Sequence, residues 1–212
     1  MENIGMDGRG KMDWKFFGGW TCLTAAGWAL GIPLIAAMAL LGEALGIGGI
    51  QVLVGLGMGA GIGWTQGRVM RRLMLRFWPW FWSCVIGLGL PFLAVDLAKL
   101  AHRDFPYYPY SCVALGGLLV GLRQAALLRP SFQKAGWQKA GWWVAGSVLG
   151  WSLAASLVGV ADALFRSHSI RGVVGLIVYL GSLVGGGLLL GIVTGAVLVW
   201  LRAQKTAVSP FA

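Results

Sequence analysis

Charge is what this chain has least of. Only 11% of its 212 residues are Asp, Glu, Lys or Arg, against about 25% in an ordinary soluble domain, and 58% are hydrophobic with a mean hydropathy of +0.76. A soluble globular enzyme is excluded on those numbers. There are two histidines, His102 and His168, and both fall beside turns, which argues against histidine ligation of haem or chlorophyll inside the bundle. No lysine sits in the middle of an apolar run, which argues against a retinal Schiff base. The three cysteines, Cys22, Cys84 and Cys112, have neither paired nor metal-type spacing and read as small packing residues. A nucleophile with its base is missing too. Ser147, Ser152 and Ser156 have no histidine in their run, and the glycines follow no phosphate-binding pattern. The chain therefore reads as non-enzymatic.

What is present is apolar length. About 20 residues cross a bilayer core, and six segments qualify: 16–41, 44–67, 77–95, 105–128, 140–161 and 172–201. The first run is too long for a cleavable signal and follows a leader with Arg9, Lys11, Asp13 and Lys15, so the leader is expected to stay on the protein. The resulting domain plan is a flexible leader over 1–15, a membrane domain over 16–202 and a tail over 203–212.

Glycine organises these runs. Gly55, Gly59, Gly63 and Gly67 stand four residues apart, and the spacing returns as Gly117, Gly121 and Ala125 and again as Gly187, Gly191 and Gly195. In water such helices would be poor; in lipid, small residues every fourth position let backbones approach closely. Each striped run follows one with a tryptophan pattern. Trp20, Gly27 and Trp28 are echoed by Trp143, Gly150 and Trp151, and by Trp80, Gly87 and Leu88. Near the end of each striped run stand Gln66, Gln124 and Thr194. The expected fold is all-α and integral to a membrane, with six transmembrane helices in three tandem hairpin repeats over 16–73, 77–130 and 140–202. Hairpins of equal orientation can be related only by an axis along the membrane normal, giving a pseudo-threefold bundle. Small residues favour close contact and Trp favours interfaces, so the striped helices are expected at the centre and the Trp-bearing helices outside.

The net charge of +10 follows topology. Lys and Arg crowd the leader, the tail and the 68–76 and 123–139 connections, whereas the opposite side has Lys99, Arg103, Arg166 and Arg171. By the positive-inside rule both termini are cytoplasmic in a multi-pass protein of a bacterial inner or thylakoid membrane. The basic rim needs lipid headgroups as partners and no nucleic acid.

Several residues invite a functional reading. Asp96 precedes His102 by six residues and Asp162 precedes His168 by six, a set of four that could ligate a metal, although the spacing matches no zinc signature and the first hairpin has no histidine. The bland reading makes Glu43, Asp96 and Asp162 turn or interface residues. Trp20, Trp28, Trp143 and Trp151 could flank a flat apolar ligand such as a carotenoid, a quinone or a chlorophyll tail, or could contact lipid. Gln66 and Gln124 either bond across helices or reach a headgroup or pigment metal. The proline- and tyrosine-rich run 105–110 reads as an interfacial aromatic belt.

The run from Trp142 to Trp151, preceded by Gly121-Leu122-Arg123-Gln124, resembles a group of multi-spanning proteins of cyanobacteria and other phototrophic bacteria. In that group a Gly-x-x-Gln-Trp helix end precedes a Trp-Trp-x-x-Ala-Ser-x-x-Gly-Trp helix. Here Ala125 replaces the aromatic after Gln, and Gly146 replaces the alanine. The resemblance implies a photosynthetic membrane, and the group lends no catalytic activity to carry over. The function expected is an accessory or assembly subunit of a larger membrane complex, with other integral membrane subunits and lipids as partners and a carotenoid, chlorophyll or lipid as bound molecule. The alternative is a small permease or the membrane substrate-binding subunit of a transporter, for which Gln51 and Thr24 are the polar candidates.

Overall fold

A computed structural model describes residues 13–73, 76–103, 108–130, 136–167 and 172–206. Among them the chain forms six helices and no strand: α1 (Trp14–Ala44), α2 (Val52–Arg72), α3 (Phe77–Leu100), α4 (Tyr108–Leu128), α5 (Gly136–Arg166) and α6 (Gly172–Thr206). Most of the leader and tail, His168, and residues 105–107 of the expected aromatic belt lie outside the described residues.

Local chemistry sets the helix ends. The Asp13 carboxylate accepts the Phe16 N–H at 3.0 Å and caps α1. After α1 the chain turns through Gly46 and Gly49, whose φ values of 71° and 80° favour glycine. The second helix consequently starts at Val52, well inside the segment expected from residue 44. Its own N-terminus has no local cap, and the acceptor comes from another hairpin. Asp96 on α3 receives the Gln51 N–H at 2.8 Å on Oδ1 and the Val52 N–H at 2.7 Å on Oδ2. Asp96→Ala should therefore lower stability by about 1–2 kcal/mol, as loss of a side-chain cap does, and Asp96→Asn by less; unfolding in mixed micelles measures both, and equal losses would refute the capping role.

Among the described residues five helices are long and apolar enough to cross a membrane: α1, α3, α4 from Pro109, α5 and α6. α2 falls short of the six expected spans because its glycines, with Arg68, Arg71 and Arg72, dilute its hydropathy. It is nonetheless well covered, packed between α1 and α3.

Consecutive helices pack side by side and α6 returns against α1, so the six close into a ring. This overturns the expected placement of the stripes. The glycine-striped helices form no packed pairs with one another among the described residues. Each stripe instead seats the odd-numbered helix of a neighbouring hairpin: Gly55, Gly59 and Gly63 meet the α3 backbone at Leu88, Cys84 and Phe81, Gly117 and Gly121 meet Trp151 and Ser147 on α5, and Gly187 and Gly191 meet Trp28 and Thr21 on α1. The physical reason is that small residues bring two backbones together in pairs, and a ring of six offers six such seams between neighbours. α2 is glycine-lined on two sides, since Gly57 lies against Ile35 of α1.

Candidate functional site: an axial cavity above a tryptophan floor

The centre of the ring belongs to tryptophan. Trp20 of α1, Trp80 of α3 and Trp143 of α5 meet there, with ring centroids 6.3 Å apart for Trp20 and Trp80, 6.3 Å for Trp20 and Trp143, and 5.9 Å for Trp80 and Trp143. All three are buried. The Trp-bearing helices do not lie outside as expected: they alternate with the striped helices around the ring, and although Trp78, Trp82 and Trp142 are exposed, this trio turns inward. An indole N–H sunk in an apolar bundle needs an acceptor, and the even-numbered helices provide two. Trp20 donates to Thr194 Oγ1 at 3.0 Å, and Trp80 donates to Gln66 Oε1 at 3.3 Å. The Gln66 amide in turn donates to Thr24 Oγ1 at 3.2 Å, and the Gln124 amide to Cys84 Sγ at 3.3 Å. The Ser147 hydroxyl donates to the Gly117 carbonyl at 2.9 Å. A polar belt thus ties the odd-numbered helices to their neighbours around a packed aromatic plug. The Trp143 indole nitrogen is the break in it, being buried without a partner among the described residues.

Two helical turns beyond that plug, about 12 Å at 1.5 Å per residue, stand Trp28, Leu88 and Trp151, all buried. The Trp28 and Trp151 rings are 5.7 Å apart and inclined by 38°. Over them opens a cavity of about 330 Å³ to which all six helices contribute. Its walls are apolar, with Met58, Phe92, Val113, Val158 and Leu183 among them. Polar groups gather at one end, where Asp162 and Arg166 form an ion pair of 2.9 Å one helical turn apart, beside Tyr110 and Tyr179. Gly159 admits the Tyr110 ring, since a Cβ at that position would collide with it. An apolar pocket with a few convergent polar groups is the usual form of a small-molecule site, and this volume lies at the small end of the usual range of about 300–1,000 Å³.

The structure divides the residues that the sequence singles out. Trp28 and Trp151 line the cavity, while Trp20 and Trp143 are consumed by the plug. Gln66 and Gln124 are buried and bonded to neighbouring helices. Gly59, Gly63, Gly67, Gly117, Gly121, Gly187, Gly191 and Gly195 all face a neighbouring helix closely enough that a Cβ would meet it within 3.0 Å. The four residues weighed as metal ligands are not brought together among the described ones. Asp96 caps α2, Asp162 pairs with Arg166, His102 sits exposed in a turn with φ 52°, and His168 lies outside the described residues. Among the described residues no group of three or more His, Cys, Asp or Glu is disposed to hold a metal. Sequence reasoning missed Met58, Phe92, Tyr110, Arg166 and Tyr179. A tyrosine within a glycine- and valine-rich run carries no periodic mark, so nothing in the sequence points Tyr179 at this site. No protein-family model, curated protein or solved structure matches this chain.

Proposed function

We propose that this chain is a non-enzymatic subunit of a larger bacterial membrane assembly, and that its bundle holds one small apolar molecule in the axial cavity. The observation that carries the reading is the cavity itself, contributed to by all six helices, apolar along its walls and polar at one rim. In this reading all six helices cross the membrane and the three hairpins are copies of one unit about a pseudo-threefold axis. The equivalent positions of Trp20, Trp80 and Trp143 around the plug, and of Gln66, Gln124 and Thr194 in the belt, support that relation. With Lys and Arg concentrated at the end that holds both termini, the termini face the cytoplasm and the cavity faces outward. Its volume suits a compact molecule or a single lipid chain better than a carotenoid or a whole chlorophyll, most of whose body would project from the bundle. The phototrophic setting rests on the resemblance of the 121–151 region alone.

The test is purification from native membranes in mild detergent, with mass spectrometry of co-purifying proteins and small molecules. The wild-type chain should carry a stoichiometric apolar compound together with subunits of its complex. Ala155→Phe, which fills the cavity wall, should preserve elution behaviour and lower the bound compound at least tenfold, equivalent to about 1.4 kcal/mol. An empty wild-type protein, or an Ala155→Phe protein that keeps its compound, would refute the reading. A second reading, the membrane substrate-binding subunit of a transporter, draws on the one-sided form of the site, a cavity over an aromatic plug. Recovery with an ATPase pair in the same experiment would favour it.

A further inference from the structure

The stretch that joins α4 to α5 is short of negative charge. Between Asp104 and Asp162 the sequence has no acidic residue, yet it carries Arg123, Arg129, Lys134 and Lys139. At the same end of the bundle the described carboxylate is Asp13, which is engaged in capping α1. Arg129 makes no ion pair among the described residues. Its guanidinium carbon lies 4.0 Å from the ring centre of Trp137, itself 73% exposed. Stacking on the indole fixes the guanidinium plane and leaves its N–H edge for an acceptor. Directly beside this pair a groove of about 240 Å³ runs between α4 and α5. It exists because both helices present small residues to it: Ala125 and Ala126 on one side, Ala140 and Gly141 on the other, with Leu122 and Val144 beyond them. A Cβ at Gly141 would meet nothing within 4 Å.

We propose that this groove seats one anionic phospholipid, with its phosphate on Arg129 and an acyl chain along Leu122, Ala126, Gly141 and Val144. The occupant follows from the two chemistries placed side by side. An apolar channel on the outer surface of a membrane bundle is filled by acyl chain, and a cation without a protein carboxylate at the headgroup level takes its anion from the lipid. Basic pockets between transmembrane helices at the cytoplasmic side are a recurrent setting for such headgroups. Arg68 provides the contrast. It too stands over a tryptophan, 5.0 Å from the Trp64 ring centre, but it lines neither the axial cavity nor this groove.

The full chain, reconstituted in nanodiscs of equal phosphatidylglycerol and phosphatidylcholine and then washed in detergent, should retain phosphatidylglycerol in preference. Arg129→Gln should reduce the retained ratio about fivefold, the effect of one basic residue at an anionic surface, and Arg68→Gln should leave it unchanged. Gly141→Leu, which puts a side chain into the groove at a position where a Cβ meets nothing within 4 Å, should lower retention while Arg129 is intact. No preference in the wild-type chain, an equal effect of Arg68→Gln, or full retention by a folded Gly141→Leu chain would each overturn the proposal.

Discussion

Trp80→Ala is expected to destabilise the bundle by about 3–5 kcal/mol, the range for deleting a large buried aromatic side chain. Trp80 is fully buried, touches Trp20 and Trp143 across the centre of the ring, and donates its indole hydrogen to Gln66 Oε1 at 3.3 Å. In lipid there is little hydrophobic drive for burying it, so the loss comes from forfeited packing and from a buried amide oxygen left without its donor. Unfolding in mixed micelles of increasing denaturing detergent gives the number. Trp82→Ala, on the same helix and 48% exposed, should fall within about 0.5 kcal/mol of the parent. A finer comparison separates packing from hydrogen bonding. Trp143→Phe removes a buried N–H that has no partner among the described residues, whereas Trp80→Phe strands Gln66, so the second should cost more by about 1–3 kcal/mol. Equal losses from Trp80→Ala and Trp82→Ala would mean that the trio is not what closes the centre of the ring.

The helical class was legible because apolar length and helical glycine spacing are one-dimensional signals. The four-residue stripe says that a helix has a smooth face; it does not say what that face meets. Two partners were conceivable for Gly59, another stripe or the neighbouring hairpin, and the choice depends on ring closure, which is a property of all six helices at once. The tryptophans misled for a related reason. Trp14, Trp78 and Trp137 follow the interfacial preference and are exposed, but Trp20, Trp80 and Trp143 obey a local demand, an acceptor for a buried N–H, that only the three-dimensional proximity of Gln66 and Thr194 reveals. The cavity was half legible. Trp28 and Trp151 were marked by their repeat spacing, yet Tyr110 and Tyr179 come from the entry ends of α4 and α6, where no sequence period announces a shared site. Asp96 shows the limit most plainly. Its role as a cap depends on the α2 terminus 45 residues earlier in the chain, and its proximity to His102 in sequence was no guide to it.

Gly59→Ala should be destabilising and Gly181→Ala stabilising, although both replace a glycine inside an α-helix by the best helix former. At Gly181 a Cβ would meet nothing within 4 Å, so only the intrinsic preference acts, and alanine is favoured by about 1 kcal/mol. At Gly59 the same carbon would lie 2.6 Å from the Cys84 carbonyl oxygen and 2.7 Å from the Val85 Cα. Both of those atoms are backbone and cannot swing away as a side-chain tip could. Relief requires α2 and α3 to separate, which breaks the seam formed by Gly55, Gly59 and Gly63 and draws Asp96 away from the α2 N-terminus that it caps. The cost should reach about 3 kcal/mol, the upper part of the usual range for overpacking, and Gly59→Leu should exceed it. Thermal stability of the purified variants in one detergent decides the matter through the sign of the two shifts. Opposite signs mean that close backbone contact between hairpins, and not tolerance of glycine by lipid, is why the stripe is there; a stabilising Gly59→Ala would remove the packing role from the stripe and with it the seam that positions α3 against the cavity floor.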